Sequence, residues 1–207
     1  MRLAPYDVAM PSGPASVEPP DPPLTDGRVR LRVLREDDLP RLVEEGSDET
    51  TARWVNVPVP YGEAEAREEL HTMTAGWRDP AFPLALVIAD AATDEYCGLV
   101  LLMREHPHDI MEMAYGVHPA ARRRGLVTAA IRLAAPWAFT ALGVARLEAR
   151  TDPENLASQR ALARAGFTRE GLERSSRSIQ GERRDMICWS LLPADLDQKG
   201  SPADPRT

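Results

Sequence analysis

The residues best suited to chemistry lie where a predicted strand meets a predicted helix. The segment 113–127 runs from an apolar strand through a basic turn containing Gly125 into the start of a helix. The first amides of a helix have no partner within the helix and carry partial positive charge, so a turn placed before them binds phosphate oxygens. Arg122, Arg123 and Arg124 add full charges, and Gly125 lets the backbone approach an anion closely. This joint predicts a phosphate site, with a plain solvated surface loop as the alternative.

A second polar segment, 152–158 (DPENLAS), follows the next predicted strand. Asparagine and proline commonly open helices, so Asn155 or Pro153 is suited to starting one there, with Ser158 packed on its first turn. This structural role competes with a role for Asn155 and Ser158 in contacting a ligand. The residue types alone leave both roles open.

Glu112 is the best candidate for a general base. It is a carboxylate in an otherwise apolar strand, between Met111 and Met113, just upstream of the basic turn. A positioned carboxylate accepts a proton directly or through a water molecule. The alternative is a solvent-facing or structural carboxylate.

A metal site is not expected. His118, His106 and His108 are near one another in the sequence, but no carboxylate or cysteine completes a set with the spacing of metal ligands. The two cysteines, Cys97 and Cys188, form no spacing motif and are typical of buried strand residues rather than nucleophiles.

Composition limits the function further. The 207 residues suit one ordinary domain, and the net charge of −7 argues against nucleic acid as the main partner, because phosphate binding over a large surface needs a basic protein. No apolar run is long enough to cross a membrane, and the N-terminus lacks the apolar segment of a secretory signal. We therefore expect a cytoplasmic protein with neither membrane nor nucleic-acid partners.

The chain is expected to hold a single domain at 24–192, between a proline-rich and flexible tail at 1–23 and a C-terminal tail at 193–207. Periodicity predicts strands and helices in mixed order within it. The predicted strands are 28–34, 84–88, 97–103, 111–117, 145–151 and 185–192, with a further strand from Phe167, and the predicted helices are 63–77, 126–142 and 156–165.

Four residues are expected to shape the ends of these elements. Gly166 is placed to end the helix at 156–165, and Gln180 with Gly181 is a plausible hairpin turn. Pro136 is expected to kink or end the helix that starts at Leu126, after roughly three turns. The mixture of elements predicts an α/β fold with a mixed sheet.

The basic turn resembles the pyrophosphate-binding motif of the GNAT superfamily of N-acetyltransferases, which has Gln or Arg, two variable residues, Gly, one variable residue, then Gly or Ala. Arg122 and Gly125 match the motif, and Val127 departs from it. A valine there keeps its backbone N–H but is expected to crowd the turn. The resemblance implies that the backbone amides of this turn, including those of Leu126 and Val127, bind the pyrophosphate of an acyl-coenzyme A.

The segment 152–158 followed by 162–167 (LARAGF) resembles the signature of the RimJ/RimL-like branch of that superfamily. The resemblance implies that Asn155 contacts the pantetheine arm and that Ser158 lies near the thioester sulfur, where it can contact or protonate the leaving group. Further matches at Trp54, at 57–60 and at 180–185 extend the resemblance over about residues 25–192.

The family resemblance implies a mostly antiparallel sheet flanked by helices, in which the strands 111–117 and 145–151 splay apart around the thioester. A backbone N–H between Tyr115 and Val117 would polarise the thioester carbonyl. The expected reaction is direct attack of an amine on acetyl-CoA in a ternary complex, without metal, by a monomer or a homodimer.

Two other functions stay open at this stage. One is transfer of a larger acyl group such as succinyl, which would need a basic group near the acyl end of the donor. The other is a catalytically silent module that binds acyl-CoA. The expected acceptor is the α-amine of a peptide or protein N-terminus, or a small primary amine.

Overall fold

The computed structural model describes residues 16–105 and 109–197, which form an eight-stranded sheet with helices on both faces. The strands are β1 (Leu24–Thr25), β2 (Val29–Arg32), β3 (Leu84–Asp90), β4 (Tyr96–Glu105), β5 (Ile110–Val117), β6 (Arg146–Thr151), β7 (Thr168–Ile179) and β8 (Glu182–Leu191). Their order in the sheet is β1-β2-β3-β4-β5-β6-β8-β7. The pair β5–β6 is parallel and the other neighbouring pairs are antiparallel.

Six helices are described, and they divide between the two faces of the sheet. They are α1 (Leu39–Gly46), α2 (Glu49–Trp54), α3 (Glu63–Ala75), α4 (Leu126–Ala141), α5 (Leu156–Ala165) and α6 (Pro193–Asp197). Apolar residues of α1 and α3 pack with one side of β3 and β4, whereas those of α4 and α5 pack with the opposite side of the central strands. We call these sides the α1/α3 face and the α4/α5 face.

Strand β3 shows why the sheet is central. Leu86 and Ile88 belong to the core cluster on the α4/α5 face, while Val87 and Ala89 belong to the cluster on the α1/α3 face. Successive side chains of a strand point to opposite faces, so an uninterrupted apolar run is what a strand covered on both sides requires. The predicted mixed α/β fold is therefore confirmed.

Several local predictions agree with the structure. Helix α5 has the predicted bounds and ends at Gly166 in the left-handed conformation, with φ of 110°. Gln180 and Gly181 form the predicted turn between β7 and β8. Pro136 was expected to kink or end its helix; it does not end it, because α4 continues to Ala141 with Pro136 inside it.

The predicted tails are only partly described, since 1–15 and 198–207 lie outside the described residues, as do 106–108. Within 16–23, the Val17 N–H donates to the Trp77 carbonyl at 2.9 Å, and Val17 packs on the core. Among 16–105 and 109–197, no helix has the combined length and apolar composition that crossing a membrane requires.

Candidate active site

The strands β5 and β6 pair with each other over only the first part of their length. Their parallel register ends at the pair Glu112–Glu148, although β5 continues to Val117 and β6 to Thr151. Past this point β6 continues to pair with β8 on its other side, and β5 with β4. The divergence leaves a gap in the sheet between the second half of β5 and the second half of β6, where the family resemblance implied splayed strands.

Backbone direction shows which amides face this gap. At one end of β5 the Asp109 carbonyl accepts from the Ala145 N–H at 2.7 Å, on the β6 side, and at the other end the His118 N–H donates to Cys97 on the β4 side at 3.0 Å. Because backbone groups of successive strand residues point to opposite sides, odd-numbered residues of β5 face β6. The N–H groups of Tyr115 and Val117 therefore point into the gap.

The basic turn leads into α4 with the geometry of an anion site. Gly125 has φ of 74° and precedes the helix, whose first bond runs from the Ala129 N–H to the Gly125 carbonyl at 3.2 Å. The amides of Leu126 and Val127 therefore lie in the first turn, before helical hydrogen bonding begins. A Cβ added to Gly125 would meet no atom within 4 Å. The space beside this glycine, at the start of α4, is therefore open.

Two of the three arginines of the turn, Arg122 and Arg124, form ion pairs. Arg122 pairs with Asp48 and donates to the Thr51 hydroxyl at 3.1 Å, and its hydrogen bond holds the pKa of Asp48 below the usual value. Arg124 pairs with Asp90 at 2.8 Å, while Arg123 is exposed and has φ of 63°. The ion pairs tie the turn to α2 and β3, so the turn is braced from two sides.

The side chains of Leu126 and Val127 point away from the turn. They are 3% and 8% exposed and belong to the core cluster on the α4/α5 face. The crowding expected at Val127 is therefore wrong, because its bulk packs into the core. The valine that departs from the family motif leaves the space outside the helix end open.

Asn155 and Ser158 are brought together at the start of α5. The Asn155 side-chain oxygen accepts from the Ser158 N–H at 3.1 Å, which is the N-cap arrangement. Asn155 thus has the structural role that competed with ligand contact, and any hydrogen bond it donates to a ligand would come from Nδ2. The Ser158 hydroxyl lies 2.7 Å from the Tyr115 hydroxyl, which also donates to the Ser158 carbonyl at 3.2 Å.

The Tyr115 hydroxyl stays protonated at neutral pH. Burial raises the pKa of Tyr115 well above its ordinary value, against the opposing effect of the Ser158 bond. Tyr115 and Ser158 therefore form a pair of neutral hydroxyls on the α4/α5 face. Tyr115 is also one of the two β5 residues whose N–H groups point into the gap.

Glu112 is buried, with 6% of its surface exposed, on the α1/α3 face. Its Oε2 accepts from Arg150 on β6 at 2.7 Å and also from Arg177 on β7. Neighbouring positive charges favour the ionised form of a carboxylate and weaken it as a base. This environment suits a carboxylate that holds β5, β6 and β7 together, and the base role of Glu112 stays a prediction.

A second buried carboxylate, Glu45, escaped the sequence reasoning. It lies on the last turn of α1, is 8% exposed, and accepts a hydrogen bond from the Tyr96 hydroxyl at 2.9 Å. A Cβ added to Gly116 would lie 2.4 Å from Glu45 Oε1, so this carboxylate sits directly on β5. The available signal was spacing: Leu39, Leu42 and Glu45 share the buried face of α1.

In the part of the chain that the structure describes, the histidines and cysteines do not form a reactive cluster. His118 is buried, with Nε2 2.9 Å from Glu44 and Nδ1 accepting from the Ala120 N–H at 3.2 Å. No group of three or more His, Cys, Asp or Glu residues suited to a metal is found in the described ranges, and His106 and His108 lie outside them. Burial raises the pKa of both thiols, that of Cys188 to about 11, so neither is a ready nucleophile.

Comparison with known proteins agrees with this geometry. The family model described as "Acetyltransferase (GNAT) domain" matches residues 28–168, more than half of the chain. The curated relative "Probable N-acetyltransferase YjcK" of Bacillus subtilis is 36% identical over 86 residues, which are 42% of this chain and 48% of that protein, so the match spans about half of its length.

Solved structures match over most of the chain. A GCN5-related N-acetyltransferase from Brucella melitensis has a TM-score of 0.72 and 26% identity, covering 92% of this chain and 89% of that one. Mycobacterium smegmatis RimJ, solved with CoA-disulfide, has the same fold, with a TM-score of 0.73 at 24% identity and coverage of 84% and 87%. With the splayed strands and the glycine turn, these matches show that the chain is an acetyltransferase enzyme of the GNAT family.

Proposed function

We propose that this enzyme transfers the acetyl group of acetyl-CoA to a primary amine by direct attack in a ternary complex. The observation that carries the proposal is the gap between β5 and β6, into which the Tyr115 and Val117 N–H groups point. A thioester lying in the gap would present its carbonyl oxygen to one of these donors. Such a preorganised N–H stabilises the oxyanion that forms when an amine attacks.

The phosphate end of the donor is assigned to the start of α4. The amides of Leu126 and Val127, the open space above Gly125 and the exposed guanidinium of Arg123 would hold the pyrophosphate. The helix dipole alone contributes about 0.3–1 kcal/mol per anion, so the amide hydrogen bonds and charge supply most of the binding. Arg122 and Arg124 support this site through their ion pairs with Asp48 and Asp90.

The leaving thiolate is assigned to the α4/α5 face. The Ser158 hydroxyl would contact the sulfur and pass a proton to it, and the Tyr115 hydroxyl at 2.7 Å would orient Ser158. Asn155 would donate from Nδ2 to a pantetheine carbonyl while its oxygen caps α5. No covalent acyl-enzyme is needed, because the amine itself forms the new bond to carbon.

An acetyl donor is favoured over a donor with an acyl carboxylate. A succinyl group needs a cationic partner near the acyl end, and two arginines at the start of the gap, Arg150 and Arg177, are both engaged by Glu112. Using them for a donor carboxylate would place two carboxylates on the same arginines.

The test is a thiol-release assay with acetyl-CoA and a panel of primary amines and short peptides, run beside calorimetric binding of CoA. Turnover with at least one amine supports the proposal, and faster turnover with succinyl-CoA than with acetyl-CoA would favour the larger donor. CoA binding with no turnover on any amine would identify a silent binding module instead.

A further inference from the structure

We infer that Glu45 is the general base of this enzyme, taking a proton from the acceptor ammonium on the α1/α3 face of the β5–β6 gap. This inference rests on the proposed function. It assigns a catalytic role to a helix residue that lies far from both sequence motifs.

The contact between Glu45 and β5 is close because Gly116 has no side chain. A Cβ at Gly116 would lie 2.4 Å from Glu45 Oε1, a separation that atoms do not adopt without displacement. Gly116 lies between Tyr115 and Val117, the residues whose N–H groups point into the gap. The carboxylate is therefore one residue away from either candidate donor to the thioester carbonyl.

Glu45 and Ser158 lie on opposite faces of the sheet. Side chains of successive strand residues alternate, so Gly116 faces α1 and α3, while Tyr115 faces α5 and reaches Ser158. A thioester in the gap, with its carbonyl oxygen directed at β5, presents one face of the carbonyl group to each side. An amine arriving from the α1/α3 face meets the carbonyl carbon beside Glu45.

The surroundings of Glu45 tune it for proton transfer near neutral pH. Burial raises the pKa of Glu45 to about 7; the hydrogen bond from Tyr96 on β4 opposes this, Glu69 on α3 adds to it, Arg122 lowers it and Asp48 raises it. Tyr61 lies on the same side and is hydrogen-bonded to Glu69. A base with a pKa near the working pH combines an available carboxylate with useful proton affinity.

Glu112 is less suited to the same task. Its carboxylate is held by Arg150 and Arg177, and it lies four residues before Gly116, about 13 Å along the strand. Among the residues that the structure describes, Glu45 accepts one side-chain hydrogen bond, from Tyr96 to Oε2, and Oε1, the oxygen that faces Gly116, is available to the amine.

The proton and electron balance is complete without another reactant. The ammonium gives one proton to Glu45 and becomes a neutral amine, whose nitrogen lone pair forms the C–N bond. The nitrogen of the tetrahedral intermediate loses a second proton to solvent, the C–S bond breaks, and the thiolate takes a proton from the Ser158 hydroxyl, which regains one from solvent. Glu45 then releases its proton to solvent, so that each turnover yields an amide, a free thiol and one proton.

The test compares Glu45→Gln with Glu68→Gln, a carboxylate-to-amide change at an exposed position of α3. For wild type and both variants, kcat/KM is measured from pH 5.5 to 9 with acetyl-CoA as the donor. Two acceptors are compared: a peptide with a free aliphatic amine, and an arylamine that is neutral over this whole range. At pH 7 with the peptide, the kcat/KM of Glu45→Gln is expected to be about 100-fold below that of wild type. The acidic limb of the pH profile near pH 7 should also be absent. The arylamine rate should fall far less, CoA affinity should not change, and Glu68→Gln should match wild type.

A second variant, Tyr96→Phe, keeps Glu45 in the protein and changes only a hydrogen bond to its carboxylate. Tyr96→Phe removes a hydrogen bond that favours the ionised form of Glu45, so the acidic limb should move to higher pH. An active wild type with an unchanged profile in Glu45→Gln, or with no movement of the limb in Tyr96→Phe, would overturn the assignment of Glu45 alone. A wild type that binds CoA but acetylates no amine would overturn the proposed function and this inference with it.

Discussion

The hydroxyl of Tyr115 lies 2.7 Å from the hydroxyl of Ser158, which joins the splayed half of β5 to the first turn of α5. The pair links the strand that would polarise the thioester to the helix that would receive the leaving sulfur. Burial keeps Tyr115 protonated, so Ser158 has a neutral donor beside it at every physiological pH.

Ser158→Ala should lower kcat by about 10- to 100-fold while CoA affinity stays near that of wild type, since the hydroxyl acts on the sulfur as it leaves. Tyr115→Phe should have a smaller effect of the same kind, because it acts through Ser158. The double variant should be little worse than Ser158→Ala, since the two hydroxyls act as one unit. Steady-state kinetics of all three variants provides the check, and additive losses would show that Tyr115 acts independently.

Gly125→Glu should abolish CoA binding and leave the fold intact, because it places a negative charge in the open space assigned to the pyrophosphate. Gly143→Glu is the matched control: Gly143 also has positive φ, at 67°, and a Cβ there also meets nothing within 4 Å. Both variants carry the same backbone strain, but only the first should lose binding in calorimetric titration. Normal CoA affinity in folded Gly125→Glu would remove this turn from the site.

Glu112→Gln should destabilise the protein by about 1–3 kcal/mol, since it removes the charge that Arg150 and Arg177 share in a mostly buried position. The chemical denaturation midpoint measures this loss. If Glu112 mainly holds strands together, the variant keeps the acidic limb of the pH-rate profile. Loss of that limb with recovery at high pH would return the base role to Glu112.

The stability of the protein should fall as pH rises through the titration of Glu45. Its folded pKa of about 7 is above the ordinary value of 4.5, so the folded state holds a proton that the unfolded state releases. The folded state is therefore penalised as pH increases from about 4.5 to about 7. Between pH 5 and pH 8, the free energy of unfolding of Glu45→Gln, measured with urea, should therefore rise by about 2–3 kcal/mol relative to that of wild type. An equal difference at both pH values would contradict the raised pKa.

The features that could be predicted from the sequence are those that depend on residues close together in the chain. The joint between β5 and α4 is visible as an apolar strand, a basic turn with Gly125 and an apolar helix, and all three elements are present. The same is true of Asn155, whose side chain caps α5 three residues before Ser158. In each case hydrogen bonds and φ angles of consecutive residues decide the structure, so local pattern was sufficient.

Contacts between residues that are distant in the sequence could not be predicted from the local sequence pattern. Arg177 is 65 residues from Glu112, and Arg122 is 74 residues from Asp48. A strand glutamate with apolar neighbours looks the same in the sequence whether or not arginines from β6 and β7 meet it. Likewise Glu45 gains its position only when α1 packs beside Gly116, and the fold alone determines that approach.

The acceptor should be the α-amine of a peptide or a small primary amine in preference to the ε-amine of lysine. An α-amine has a reference pKa of about 7.7–8.0, close to the value of about 7 for Glu45, whereas deprotonating lysine near 10.4 costs roughly 3 kcal/mol more. The carboxylates Glu45 and Glu69 also make the α1/α3 side of the gap favourable for a cation, within the short range that physiological salt allows. The measurement is a competition between a peptide with a free N-terminus and no lysine and an N-capped peptide of the same sequence carrying one lysine. Mass spectrometry should find acetyl groups mainly on the first peptide, and preference for the capped peptide would show that the enzyme is a lysine acetyltransferase.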